Sequence, residues 1–416
     1  MKVLLGGNGV REGRAADGAA QYRVRLDSGS APVGPRRRRN YVLVSCLICH
    51  NRSVTSSKPI RVLTIGPEPA GPNSRGGMAT VMRLLLDDPD PRFAISAVPT
   101  YVDTGAALRL WTGVRGMVQS ATLIVLGRAD IVHVHLSHGG SVARKALPLF
   151  AARLRGVPSI VHGHSFDFSG WFDRLPALVR PVVRAALRAD HWLVLGGSLS
   201  EEYRASLHLS GESVQVLYNP VVLPAAVASH GGQPLTVLAL GRLGQRKGTY
   251  DLIEAIALLP DDIRARVCVT LAGDGEVEQA RALVAARRLS GVIDVVGWID
   301  PITRDELLGR TDIFVLPSYD EGLPMAILEA MAHGVVPVTT PVGGIPDAVT
   351  DGIDGLLVAP GQTAQLAEAL CRLICDDGLR ETLGAAARER AQMFDIEAWR
   401  AELAQLWLNL AVRQSG

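Results

Sequence analysis

The chain has 416 residues, enough for two or three domains, and 48% hydrophobic against 20% charged residues marks it as globular. No run reaches the roughly 18 apolar residues that a bilayer-crossing helix needs, and five scattered cysteines build no disulfide framework, so a reducing cytosol is expected. The net charge of +2 conceals +7 over residues 1–57, +5 over 58–223 and −10 over 224–416, so the two large segments are expected to do different work.

Residues 1–57 contain "GVREGRAADGAA" and "SGSAPVGPRRRRN", rich in Gly, Arg and Ser and without a sustained period. They read as a disordered extension that does not belong to the fold. "YVLVSCLICH" resembles a signal h-region, but it is short, far from Met1 and lacks a small-residue cleavage site. Its Cys46-Leu47-Ile48-Cys49-His50 has the spacing of c-type haem attachment. That pattern is easily met by chance and needs export, so no haem is expected.

Ordered structure is expected from Pro59. "PIRVLTIGP" reads as a buried strand and "MATVMRLLLDD", after "NSRGG", as a helix. "DIVHVHLS", "PSIVHGHS" and "HWLVLGG" read as further strands with helical runs between them, which predicts a parallel sheet with crossover helices over 58–223. Gly231-Gly232-Gln233-Pro234 makes a plausible linker end.

The alternation restarts over 224–392. "LTVLALGRL", "RVCVTLAGDG", "VIDVVGW", "DIFVLPS", "VVPVTT" and "GLLVAP" read as strands; "TYDLIEAIALL", "EVEQARALVAARR", "RDELLGR" and "PMAILEAMAHG" read as helices. This predicts a second doubly wound α/β domain, with a ligand cleft outside the carboxyl ends of the strands. In the 393–416 tail, Trp399, Leu403, Leu406 and Leu410 have helical spacing over Ile396–Val412, and this helix is expected to pack back toward the first domain.

Several turns carry chemistry. In "GRLGQRKG" (241–248), Gly241 and Gly248 permit a tight backbone, while Arg242 and Lys247 supply cations suited to a diphosphate. In "DEGLPMAILEAMAHG" (320–334), Gly322 lets the chain turn and Pro324 suits a first helical position. The helix start then favours an anion. Glu321 and Glu329, eight residues apart, are too distant for a close proton-sharing pair and could contact two parts of one long ligand. "AGDGE" with Gly273, and "TPVGGIPDAV" with Gly343 and Gly344, are further glycine turns at successive strand ends.

In the first half, Gly76 and Gly77 precede a helix and allow close backbone approach to phosphate or sugar. "HVHLSH" and "HGHSFD" place His133, His135, His138, His162 and His164 at the ends of two strands. Alternation puts His133 and His135 on one strand face, and His162 and His164 likewise, so packing or hydrogen-bonding roles are expected for some. Cleft carboxylate or cysteine ligands at matching spacing are missing, so no metal is expected.

Taken together, "SRGGMATV", "GRLGQRKG", "LAGDGE" and the stretch from Asp312 to Val358 closely resemble glycosyltransferase family 4, retaining transferases with the GT-B fold of two Rossmann-like domains facing across a cleft. The resemblance runs from about Pro59 to the C-terminal helix. It implies a nucleoside-diphosphate sugar as donor, with no metal and no other cofactor. Arg242 and Lys247 would hold the diphosphate and stabilise the leaving group. Glu321 would touch the donor sugar hydroxyls and Glu329 the ribose, with the backbone of Gly322, Leu323 and Pro324 capping phosphate or sugar. Gly77, beside Gly76, would approach the diphosphate from the acceptor domain. His164 would face the reacting sugar, and Trp298 and Ile299 would hold the nucleobase.

The expected function is retaining transfer of a hexosyl unit to a glycan or lipid-linked acceptor in cell-surface polysaccharide or glycolipid synthesis. Residues 105–189 carry 11 basic and 3 acidic side chains, and "SGWFDRLPALVRPVVRAALRAD" mixes arginines with Trp171, Phe172, Leu175 and Leu178. Such a surface can lie on an anionic membrane, which suggests a cytoplasmic protein docked at the inner face of the plasma membrane. Nucleic acid is not expected as a partner. Two other readings are an epimerase of nucleotide sugars on the same fold, which would need a second acid/base set in the cleft, and a non-catalytic carbohydrate-binding relative, against which the intact Arg242, Lys247, Glu321 and Glu329 argue.

Overall fold

The computed structural model describes residues 58–71, 74–225 and 232–415. The 1–57 extension, with the Cys46-Cys49-His50 pattern, lies outside them, as does Gly231 of the expected linker.

The apolar run after Lys58 forms β1 (Ile60–Pro67), and α1 (Gly77–Leu86) starts at the diglycine. β2 (Phe93–Tyr101), α2 (Ala106–Val125), β3 (Ile131–Leu136) and α3 (Gly140–Arg155) follow. After β4 (Ser159–Gly163) come two short helices, α4 (Phe168–Asp173) and α5 (Val179–Ala186). β5 (His191–Val194), α6 (Gly197–Leu207) and β6 (Val214–Val216) complete the first sheet.

Its strand order is β2-β1-β3-β4-β5-β6, with every pairing parallel. β3 and β4 are buried along their whole length, as expected for central strands covered on both faces. The two strands that sequence reasoning did not pick out, β2 and β6, are the two edges. β2 alternates buried and exposed residues and carries Pro99, which an edge tolerates; β6 has only three residues, all half-buried.

The second sheet contains β7 (Leu235–Leu240), β8 (Val267–Ala272), β9 (Ile293–Gly297), β10 (Ile313–Leu316), β11 (Val336–Thr339) and β12 (Leu356–Leu357). Its order, β12-β11-β10-β7-β8-β9, is again all parallel. The helices around it are α7 (Thr249–Leu258), α8 (Asp261–Arg264), α9 (Val277–Ala286), α10 (Pro301–Leu308), α11 (Met325–Ala332), α12 (Ile345–Ala348), α13 (Thr363–Cys375) and α14 (Asp377–Ala391). Each sheet reverses its strand order once, between β1 and β3 and between β7 and β10, and ligands bind open α/β sheets at such switch points.

The last helix, α15 (Ile396–Ser415), leaves the second sheet and lies on the first. Trp399, Leu403, Trp407 and Leu410 pack with Val62, Ile131, Ile160 and Leu193, and the Trp407 ring meets Phe93 edge-on at 5.0 Å. The halves also touch at their facing strand ends. The Gly197 N–H donates to Asp347 Oδ2 at 2.7 Å, Ser198 Oγ to the Gly343 carbonyl at 3.1 Å, and Asn219 Nδ2 to the Leu323 carbonyl at 2.7 Å.

Candidate active site

The cleft wall on the second domain is assembled from the loops after β7, β8, β10 and β11, and close backbone packing requires glycine at two of them. A Cβ on Gly273 would fall 1.6 Å from the Gly241 carbonyl oxygen, and one on Gly343 would fall 1.7 Å from that of Glu321. Both glycines also have positive φ, 157° and 56°. The Gly344 N–H donates to the Gly322 carbonyl at 2.6 Å. The "TPVGG" turn thus braces the backbone that carries Glu321.

Lys247 and Glu321 are ion-paired through Nζ and Oε1. Glu321 is only 5% exposed. Its Oε1 also accepts from Ser318 Oγ at 2.7 Å, and Arg246 Nη1 lies 3.9 Å from its Oε2. Arg246 was not picked out from the sequence. Its guanidinium donates to the Asp320 carbonyl at 2.8 Å and covers the Phe166 ring of the first domain at 4.8 Å, which brings both walls together beside Glu321. Asp320 lies among Asp167, Glu202 and Glu321; burial first, then these carboxylates, push it up to about 6 against the opposing pull of Arg246.

Arg242 stands apart from that pair, largely exposed, with Nη1 3.7 Å from Asp274 Oδ2. Arg75 of the first domain reaches the same Oδ2 at 3.7 Å and covers the Trp298 ring at 4.5 Å. Arg75 was also missed, although a cation immediately before the Gly76-Gly77 pair was the available signal. Ile299 packs beneath into the apolar cluster around Leu240, Phe314 and Leu316.

Pro324 is the N-cap, one position before the first helical residue, so α11 begins at Met325 and the expected start shifts by one. No side chain caps this helix end. A Cβ on Gly77 would lie 3.2 Å from Met325 Cγ, so the diglycine of the first domain abuts the start of α11. Leu323 is buried and its carbonyl is engaged by Asn219. Glu329 is 8% exposed and meets Arg304 Nη1 at 3.0 Å; burial raises its pKa, and Arg304 opposes the rise. Each glutamate of the 320–334 stretch therefore has its own cation.

At the end of β4, His164 Nε2 lies 3.0 Å from His135 Nδ1, and the His164 N–H donates to the Leu136 carbonyl at 2.7 Å. Surrounding protein lowers the His164 pKa to about 3, so the ring is neutral. His138 sits elsewhere, with Nδ1 2.6 Å from Ser165 Oγ. His133, His135 and His162 are fully buried behind His164. The site thus brings Lys247, Glu321, Gly322, Pro324, Gly76, Gly77 and His164 to facing strand ends, with Arg242, Gly241, Gly273 and Trp298 along the same rim.

The Glycosyl transferases group 1 family matches residues 226–390, and the Glycosyl transferase 4-like domain family matches residues 59–220. A glycogen synthase of Mycobacterium tuberculosis is 30% identical over 293 residues, covering 68% of this chain and 69% of that protein. An alpha-maltose-1-phosphate synthase of the same organism is 36% identical over 305 residues, covering 65% and 77%. The crystal structure of Anabaena HepE in complex with UDP-glucose superposes with a TM-score of 0.66 at 17% identity, covering 84% of this chain and 100% of that one.

Proposed function

We propose, on the premise that this chain belongs to the family 4 glycosyltransferases and has their GT-B fold, that it transfers a hexosyl unit with retention from a nucleoside-diphosphate sugar to a glycan or lipid-linked acceptor. The setting proposed is cell-surface polysaccharide or glycolipid synthesis. One observation carries the reading: Lys247 and Glu321 meet beside the uncapped start of α11, with the first-domain diglycine against that helix start.

Cleavage of the bond between the anomeric carbon and the diphosphate oxygen leaves negative charge on the nucleoside diphosphate. Lys247, Arg242 and the free N–H groups at the start of α11 meet that charge without a metal, and such pre-aimed groups are a large source of catalysis. Glu321 is ion-paired with Lys247. Donor binding exchanges this partner: the diphosphate takes the ammonium, and Glu321 turns to the sugar hydroxyls. The acceptor oxygen bonds to the anomeric carbon from the face the diphosphate leaves, and its proton passes to the departing phosphate oxygen. His164, neutral and held by His135, lines the sugar side. Glu329 takes the ribose, while Trp298 and Ile299 take the base.

The outer face of the first domain supports a membrane-proximal acceptor. α2, α3 and α5 expose Leu110 (70%), Trp111 (63%), Phe150, Leu154, Leu178 (88%) and Val182. Arg109 and Arg144 flank Tyr101 beside this surface, and neither is ion-paired to a carboxylate among the described residues. Apolar side chains interleaved with arginine suit an anionic bilayer, which supports the reading of a protein docked at the inner face of the plasma membrane. No helix among the described residues is long and apolar enough to cross a membrane.

A thermal-shift screen against UDP-, GDP- and ADP-sugars identifies the donor, because a ligand bound only by the native state raises apparent stability. Nucleoside diphosphate release that requires an acceptor, with an α-configured product from an α-linked donor, supports the proposal. An inverted product, an epimerised donor or binding without turnover would overturn it. Flotation with anionic vesicles at low salt tests the membrane contact, and a protein left wholly in the unbound fraction refutes it.

A further inference from the structure

We propose that His133, His135 and His162 form a buried three-histidine site for a divalent ion of the zinc class, and that this ion fixes the orientation and tautomer of His164. The site lies inside the first domain, separate from the groups assigned to the diphosphate.

The fold dictates the cluster. β3 and β4 are parallel neighbours with His135 opposite His162. His133 and His135, two residues apart on β3, share the face that Ile131 continues, and His162 shares it with Ile160 on β4. Toward α15 this face is apolar; toward the cleft it turns to imidazole. Ring centroids are 4.7 Å apart for His133–His135, 5.3 Å for His135–His162 and 5.6 Å for His133–His162. One ring nitrogen from each falls within 4.8 Å of the other two. Trp407 of α15 stands edge-on to His133 at 6.1 Å and closes one side.

These side chains are poorly satisfied by protein. Among the described residues, both nitrogens of His133, both of His162 and Nε2 of His135 are buried without a hydrogen-bond partner. The Leu217 backbone approaches the His162 ring but falls short of hydrogen-bond geometry. Leaving a buried polar atom unpaired is costly, so five in one place call for a polar occupant.

Two features favour an ion over water. A His-x-His pair on one strand plus a histidine on its neighbour presents three nitrogens from one side, a donor set suited to zinc-class ions. The second is the outer contact. With Nε2 of His135 on the ion, its proton sits on Nδ1 and donates to His164 Nε2 at 3.0 Å. Metal-bound histidine is commonly anchored through its other nitrogen in this way. His164 then carries its own proton on Nδ1. Tetrahedral ligation at about 2.0–2.1 Å needs nitrogens about 3.4 Å apart, so a pair at the 4.8 Å limit must close by about 1.4 Å, and rings that lie within 15–33° of parallel must turn so that their lone pairs converge. The sequence expectation of no metal rested on missing carboxylate and cysteine ligands; three histidines supply the donors without them.

The test is metal binding, independent of sugar transfer. Full-length protein produced with Co²⁺ as the added metal should hold about one ion per chain and show visible ligand-field bands. His133→Ala and His162→Gln should each lose both signals, and His138→Ala, outside the cluster, should keep them. Circular dichroism and thermal melting check that each variant folds. If the variants do not fold, X-ray absorption of the wild-type Co²⁺ protein decides, since three imidazole ligands are required. In nitrogen-15 spectra of labelled protein, His164 should shift to the Nδ1–H form on loading. A wild-type protein without stoichiometric metal, ligation lacking imidazole, or metal retained in the cluster variants would overturn the proposal.

Discussion

Replacing Lys247 with alanine separates two roles of one side chain. In the free protein Lys247 neutralises Glu321, and both side chains are largely shielded, at 16% and 7% exposure. Removing one partner of a buried pair costs about 3–5 kcal/mol because the other charge is left behind. Here Ser318 Oγ still donates at 2.7 Å and Arg246 remains at 3.9 Å, so the expected loss is about 2–3 kcal/mol, below that range. In the reaction Lys247 stabilises the departing diphosphate, and loss of one such group costs about 10²–10³ in turnover. The double variant Lys247→Ala, Glu321→Gln removes the stranded charge, so it should recover most of the stability and none of the rate. Denaturant midpoints report the first effect, and release of nucleoside diphosphate under saturating donor and acceptor reports the second. If the double variant recovered both, Lys247 would act only by neutralising the Glu321 charge. Turnover of Lys247→Ala within a few-fold of wild type would remove the diphosphate assignment.

Asp320→Asn tests the carboxylate cluster at the domain junction. Because the folded pKa is raised to about 6, the native state binds the extra proton, and the contribution of Asp320 to stability is lost as pH rises from about 4 through 6. The asparagine variant should therefore melt higher than wild type at pH 7–8 and no higher at pH 4; a pH-independent difference refutes this. Arg304→Ala leaves Glu329 charged and enclosed, so its melting temperature should fall at pH 7, with a smaller deficit near pH 5 as the carboxyl takes up a proton. An equal deficit at both values would show that packing, not charge, is what Arg304 supplies. Trp407→Ala opens a cavity between α15 and the first sheet and should cost about 3–5 kcal/mol by urea denaturation; a loss under 1 kcal/mol would mean that α15 is not integral to the first domain.

Every central strand was legible in the sequence, and so were β9 and β12, the edges of the second sheet. β1, β3, β4, β10 and β11 are apolar runs because both faces are covered, and such runs can be read without knowing their neighbours. β2 and β6 escaped for local reasons: β2 mixes wet and buried positions and carries Pro99, and β6 is only three half-buried residues long. α15 was legible for the opposite reason: its tryptophans and leucines recur at helical spacing.

The candidate site divides in the same way. Glycines, cations and the helix start belong to local turns, and a turn's chemistry is written in consecutive residues. Pairings across the cleft are not. Arg75 lies 223 positions before Trp298, and Arg304 meets Glu329 from a different helix. Sequence reasoning assigned Lys247 to the phosphates and Glu321 to the sugar as if each waited for a ligand. The structure joins them to each other instead. A buried ammonium and a buried carboxylate would each be costly alone, so the pair keeps both in place at low net cost until a ligand offers better partners. The donor's anionic diphosphate competes for the cation, and its hydroxyls can donate to the carboxylate. One ligand must supply both replacements at once, so sugar and diphosphate presented as separate molecules should bind far more weakly than the two joined.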